Sequence, residues 1–243
     1  MSTQNREKPP SDAPQATGGP VVSVVMSVYN GETHLRESIE SILHQDYEKL
    51  EFIIVDDAST DDSLSIMEGY AGTDERVRVL SNEENLGLAA SLNKGIEAAH
   101  GKYIARHDAD DVALPWRLQV QVDFLESNPR FFLVGGWAYN VDEAGNRTGF
   151  RKRPTGEKRV REALIEEGVN PFIHPSLMFR AGHNVFYRPK FEYSQDYDFL
   201  LRALDAGLKL FNLPQVLLEY RAGEKTRSGG KAVQQRAYRR IAL

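Results

Sequence analysis

The chain has 243 residues, of which 41% are hydrophobic, and a formal net charge of −5. That length suits one large domain or two small ones with a substantial core, and the acidic balance offers nothing global for nucleic acid to bind. The lack of cysteine excludes disulfides, thiolate metal sites and a cysteine nucleophile, and suits a reducing, cytoplasmic compartment.

Residues 1–20 are polar and rich in Pro, Ser and Gly, with no apolar centre of the kind a signal peptide has, so they read as a disordered lead. No apolar run approaches the roughly 18 residues of a membrane span. Val21 to Val28 is a β-branched run expected to form a buried strand, broken at Tyr29-Asn30-Gly31. Leu35, Ile39, Ile42 and Leu43 then recur at helical spacing. Phe52 to Val55 reads as a second strand, ended by Asp56-Asp57, and Asp61 to Tyr70 as a helix. Val77 to Leu80 is a third strand, Leu88 to His100 a helix capped by Gly101, and Tyr103 to Arg106 a fourth strand. This strand–helix rhythm predicts an α/β fold, a mainly parallel sheet flanked by helices.

After Pro115 the rhythm changes. Leu118, Val122 and Leu125 mark a helix that Asn128-Pro129 ends, and Phe131 to Tyr139 reads as a strand. Asp142 to Gly156 is expected to be a loop or hairpin, Arg159 to Glu167 a helix, Pro175 to Phe179 a strand, Tyr197 to Leu204 a helix, and Leu208 to Tyr220 mostly extended. We expect a single domain over residues 21–221, with a nucleotide half at 21–114 and an acceptor half at 115–221. A basic tail follows at 222–243, where Arg236, Arg239 and Arg240 suit either solvent or an anionic membrane surface.

The chemistry gathers at strand ends. Tyr103 to Arg106 runs into Asp108, Asp110 and Asp111, three carboxylates within four residues. Period-two alternation places Asp108 and Asp110 on one face. Such acids either form a solvated turn or hold a hard divalent cation, Mg²⁺ or Mn²⁺, with a phosphate as further ligand. Ligands of open α/β sheets bind beyond the carboxyl ends of the strands. Tyr29 and Asp57 are therefore expected beside Asp108 and Asp110, with Tyr29 stacking on a base, Asp57 accepting from a base N–H, Asp108 on a ribose and Asp110 on a metal. Asp56 fits a cap before Ser59-Thr60-Asp61. No phosphate-cradling glycine loop or zinc spacing is present.

Val22-Ser23-Val24-Val25-Met26-Ser27-Val28-Tyr29-Asn30, Ile54-Val55-Asp56-Asp57-Ala58-Ser59-Thr60-Asp61, Asn85-Leu86-Gly87 and Asp108-Ala109-Asp110-Asp111, in that order, resemble the family 2 glycosyltransferases of GT-A fold. The resemblance covers about Val21 to Arg221. It implies a nucleotide-diphosphate-sugar donor, a divalent cation and an inverting transfer to a glycan or lipid-linked acceptor in bacterial surface polysaccharide synthesis. It further implies base contacts from Ser27, Tyr29 and Asp57, a nucleotide-sugar contact from Asp108 and a metal ligand in Asp110. Tyr193-Ser194-Gln195-Asp196-Tyr197-Asp198 resembles the family's segment in which the second residue of a Glu-Asp pair is the base, so Asp196 is the implied base. A helix cap is the alternative for Asp196.

Two positions depart from the pattern. Gln195 replaces the acid that precedes the base, and Gly223 stands where the segment Tyr220-Arg221-Ala222-Gly223 would carry a metal- or diphosphate-binding His. Arg221 remains able to pair with phosphate. His174, in Asn170-Pro171-Phe172-Ile173-His174-Pro175-Ser176, either faces the acceptor or is structural. The competing functions are a non-catalytic nucleotide-sugar binder and a Mg²⁺-dependent phosphoryl-accepting receiver module.

Overall fold

In the computed structural model, which describes residues 21–191 and 194–221, the apolar run Val22–Val28 forms β1 and is buried at six of its seven positions. Then come α1 (Glu32–Leu43), β2 (Leu50–Asp56), α2 (Ser63–Ala71), β3 (Val77–Ser81), α3 (Leu88–Glu97) and β4 (Tyr103–Asp108). These four strands pair in parallel in the order β3-β2-β1-β4. Continuous apolar runs, rather than alternating ones, follow from helices covering both faces. Val24, Met26 and Val28 face the core shared with Leu35, Ile39 and Ile42 of α1, whereas Val25 faces Ala89 and Leu92 of α3. That second contact is close. A Cβ on Gly95 of α3 would sit 2.5 Å from Val25 Cγ1, so glycine lets the helix seat on the strand.

The second half supplies β5 (Val112–Ala113), α4 (Arg117–Ser127), β6 (Phe131–Val141), β7 (Arg147–Arg151), α5 (Gly156–Ile165), a 3₁₀ turn (His174–Ser176), β8 (Met178–Arg180), α6 (Gln195–Asp205) and β9 (Lys209–Arg221). The sheet continues through them as β4-β8-β6-β9-β5, with β7 on β6. β8 runs antiparallel to both β4 and β6, while β6 and β9 are parallel. The architecture is therefore mixed α/β, with its parallel ladders in the first half and in the β6–β9 pair. Pro214 lies where the β6–β9 register shifts between the pairs Gly135↔Asn212 and Trp137↔Val216, a place for a residue that has no N–H for the ladder.

The differences from the sequence reading are local. His174–Ser176 forms a 3₁₀ turn, so the expected strand at Pro175 starts later, at Met178. The polar stretch 142–156 takes one of its two expected forms, a hairpin, with β7 returning antiparallel on β6, whereas Val112–Ala113 forms a two-residue strand too short to show periodicity. The expected lead at 1–20 and tail at 222–243, with Gly223, Arg236, Arg239 and Arg240, lie outside the described residues, as does Tyr193. No described helix is long and apolar enough to cross a membrane.

Candidate functional site

The parallel register brings the strand ends together. Ser27 of β1 pairs with Val55 of β2 on one side and with Asp108 of β4 on the other. The loops that follow are laced to each other. Asn30 adopts φ 52° and accepts from Thr60 N at 2.8 Å, while its own N–H donates to Ser59 Oγ at 3.1 Å. Asn tolerates this left-handed conformation better than most residues. Tyr29 projects from this junction 47% exposed, an aromatic face open to a ligand.

Asp56 and Asp57 divide their work. Asp56 is buried and accepts from Ser59 N at 3.2 Å, as expected of a turn cap. Asp57 is only 1% exposed. Its Oδ1 accepts from Asn82 Nδ2 (2.8 Å) and Leu86 N (2.9 Å), and its Oδ2 from Gly87 N (2.9 Å). Asp57 thus fixes the Asn85-Leu86-Gly87 turn against the end of β2. Three of a carboxylate's roughly four acceptor positions are taken.

Asp108, Asp110 and Asp111 end β4 with carboxylate oxygens that all lie within 4.8 Å of one another. Burial and then the Asp108 charge push Asp110 up to about 6. Burial, followed by Asp108 and Asp110, pushes Asp111 well above the usual carboxylate range. One Asp111 oxygen accepts from Arg221 N at 2.9 Å, and Oδ2 is buried with no hydrogen-bond partner. Crowded negative charge with an unpartnered oxygen fits a hard divalent cation held by oxygen ligands.

The acids rest on buried cations. Arg106 pairs with Asp108; burial opposes its charge, but the Asp108 carboxylate beside it raises its pKa overall. Its Nε and Nη1 have no hydrogen-bond partner. Arg117 of α4 is fully buried, donates to Arg106 O at 2.6 Å and lies 3.0 Å from His107 Nδ1, and burial brings its pKa down to about 9.

In the second half of the fold, Asp196 is the second residue of α6. Asn170 Nδ2 donates to its Oδ2 at 2.6 Å, and Tyr197 N donates to its Oδ1 at 2.8 Å. Asn170 Oδ1 accepts in turn from Phe172 N at 2.9 Å. Gln195 has a buried Oε1 without a partner. His174 Nε2 lies 2.8 Å from Tyr187 Oη, and burial followed by the Arg106 charge holds the imidazole well below its ordinary pKa, so it is neutral near pH 7. Burial pushes the Tyr187 hydroxyl up, the Arg106 charge opposes this, and the charges of Asp196 and Asp108 add to it.

Arg221 departs from its expected role. Nε donates to Asp110 O (3.0 Å), Nη1 to Asp142 O (2.7 Å) and Glu143 O (3.1 Å), and Nη2 to Glu37 Oε2 (2.9 Å). The guanidinium is buried as a fastener between β9, the acid turn and α1, and it is not presented to a phosphate. Sequence reasoning missed Asn170, Tyr187, Arg106 and Asp111 as site residues. Asp111 stood in the acid run and Asn170 in a quoted segment, whereas nothing in the local pattern marks Tyr187.

Residues 23–193 match the family model described as glycosyl transferase family 2. An uncharacterized glycosyltransferase of Methanocaldococcus jannaschii is 37% identical over 90% of this chain and 77% of its own length. EpsE of Bacillus subtilis, which carries the name of a glycosyltransferase, is 41% identical over 84% of this chain and 73% of its own. The amylovoran biosynthesis glycosyltransferase AmsE of Erwinia amylovora is 31% identical over 83% and 76%. Among solved structures, S. aureus TarS 1-349 in complex with UDP-GlcNAc superposes with a TM-score of 0.69 at 19% identity, covering 86% of this chain and 60% of that one. The mannosyltransferase PcManGT of Pyrobaculum calidifontis, in complex with GDP-Man and Mn²⁺, gives 0.68 at 22% identity, covering 97% and 66%. At these identities the structural likeness shows the fold alone.

Proposed function

This chain belongs to glycosyl transferase family 2, and on that premise we propose that it moves a sugar from a nucleotide-diphosphate donor, UDP- or dTDP-linked, to an acceptor hydroxyl with inversion. The observation that carries this reading is the placement of one acidic trio and one separate carboxylate. Asp108, Asp110 and Asp111 close the strand ends beside Tyr29 and Asp57, while Asp196 stands in the other half, held by Asn170. Biosynthetic relatives such as AmsE favour a glycan or lipid-linked acceptor in polysaccharide assembly.

In this reading Tyr29 stacks on the base, with Ser27 beside it, and Asp57 offers its remaining acceptor position to a ring N–H. Asp108 contacts the nucleotide sugar. Asp110 and Asp111 would hold a divalent cation, Mn²⁺ or Mg²⁺, whose chemistry is to neutralise charge on the diphosphate. Asp196 takes the proton of the acceptor hydroxyl as that oxygen bonds to the anomeric carbon. The bond from that carbon to the diphosphate oxygen breaks on the opposite face, and the pair of electrons leaves with the nucleoside diphosphate. Asn170 fixes the Asp196 rotamer, and neutral His174 with Tyr187 lines the acceptor side without adding charge.

The test is a panel of UDP-, dTDP- and GDP-sugars with and without Mn²⁺, read by nucleotide release and by the anomeric configuration of the product. Metal-dependent release from a pyrimidine donor, with inversion, is expected. Retention, or release from no donor, would overturn the reading.

A further inference from the structure

Between Ala144 and Gly156 the chain carries Arg147, Arg151, Lys152 and Arg153 and no acid. A register shift between Asn140 and Val141 puts Arg147 and Arg151 on opposite faces of β7. Arg147 lies over the Tyr139 ring at 4.0 Å and pairs with Glu219 at 2.7 Å, and Lys152 lies over Trp137 and Phe150 on that same face. Arg151 goes to the other face. It pairs in register with Ala138, donates to the neutral Asn140 Oδ1 at 2.8 Å and stacks over the Tyr220 ring at 4.4 Å. Arg153 follows by alternation, and its half-buried side chain has a buried Nε with no hydrogen-bond partner. Neither Arg151 nor Arg153 is in an ion pair among the described residues.

The strand carrying this face is tied to the segment that holds the proposed base. Ala138 and Leu218 pack with Ile173 and against Tyr220, and Ile173 lies between Asn170, which holds Asp196, and His174. A second tie comes from Asn212, whose Nδ2 donates to Pro154 O at 3.0 Å and to Pro171 O at 3.2 Å. The residue after Arg153 is thereby fastened to the residue after Asn170. Two guanidinium groups without a carboxylate, one carrying a buried idle N–H, are thus joined through Asn212 to the segment whose Asn170 holds Asp196.

We propose that Arg151 and Arg153 form a subsite for an oxyanion carried by the acceptor, either a phosphate or a sugar carboxylate. The proposal rests on the transferase reading of Asp196 and names the acceptor class that reading leaves open. A planar guanidinium presents paired N–H donors that match both oxyanions. Burial and then the Arg151 charge hold the Arg153 pKa below its ordinary value. The anionic group would anchor the acceptor while its hydroxyl reaches Asp196.

The full chain saturated with UDP and Mn²⁺ is titrated calorimetrically with glucose 6-phosphate, glucuronate and glucose. Either anionic sugar should bind at least tenfold tighter than glucose; the tighter of the two identifies phosphate or carboxylate as the source. Arg151→Gln/Arg153→Gln should lose at least tenfold for the anion with UDP affinity unchanged, and Lys152→Gln, on the opposite face, should leave both affinities as they are. Anionic sugars that bind no better than glucose, or equally to the double variant, would overturn the subsite. Nucleotide binding is a separate readout: absence of both UDP and dTDP binding in the wild type would sink the donor reading, and the anion titration, repeated without nucleotide, still decides the Arg pair.

Discussion

Asn170 donates to Asp196 at 2.6 Å across 26 positions of sequence. The bond joins the start of α6 to the segment that leads into the 3₁₀ turn, so the carboxylate is oriented from outside its own helix. Its other oxygen accepts from Tyr197 N of its own first turn, as a cap's would, but a cap needs no partner such as Asn170. Asp196→Asn should therefore lower transfer about 10²–10⁴-fold while donor affinity holds. Asn170→Ala should reproduce part of that loss in kcat with donor KM unchanged. Steady-state kinetics with a titrated donor checks both; full activity in Asp196→Asn would remove it from the reacting centre.

Asp110→Asn relieves repulsion with Asp108 and Asp111, so the fold should be as stable as wild type or more so. Transfer should nevertheless fall by about two or more orders of magnitude, because a main site of charge stabilisation is lost. Melting curves and initial rates on the same preparation separate these effects. Metal-independent, near-normal turnover would contradict the cation assignment.

Asp57→Ala leaves the amides of Leu86 and Gly87 and the Asn82 side chain without their acceptor. That costs fold stability, and nucleotide binding should weaken by roughly 1–3 kcal/mol because the ring N–H of the base loses its acceptor. Titration with UDP measures it. A purine nucleotide binding as tightly as UDP would argue against the pyrimidine pocket.

His107 and His174 are both held well below the ordinary imidazole pKa, mainly by burial. The folded state keeps them neutral, and the unfolded state takes up protons once pH drops below about 6.5. Their stabilising contribution is complete above that pH and declines as pH falls toward the folded-state values, by at most about 1.4 kcal/mol per unit for each. Asp110, raised to about 6, acts in the opposite sense, since its folded form takes up a proton first. Comparing His174→Gln with wild type isolates one imidazole: its melting temperature should depend less steeply on pH between 7 and 5. Parallel curves would show that His174 is not buried neutral in solution.

The first half of the fold was legible because its signals are local. Each apolar run of the β1–β4 block is itself a strand, and the acids that end β2 and β4 can be read where they stand. The second half depends on distant pairings. β8 has three residues and an orientation set by β4 and β6, which no periodicity encodes. Arg221 illustrates the limit at the site: its type and neighbours suit a phosphate, yet strand alternation turns it toward Glu37 and three carbonyls. Tyr187 was invisible for the same reason, since its position beside His174 exists only after β8 and α6 have packed.

The narrowness of β8 has a consequence for how such a molecule can diversify. The sheet passes from β4 to β6 through three ladder positions on one side and two on the other. Strands β1 to β4, by contrast, obtain their register from one another. Changes in β6 and β8 therefore leave the spacing of Tyr29 and Asp57 untouched, whereas the acid trio is also fastened to β9 through Arg221 and the β5–β9 pair and would follow a change there. New acceptor chemistries can be tried on β6, β7 and β8 while the nucleotide end keeps its geometry, so long as the β9 fastening of the acid turn is kept.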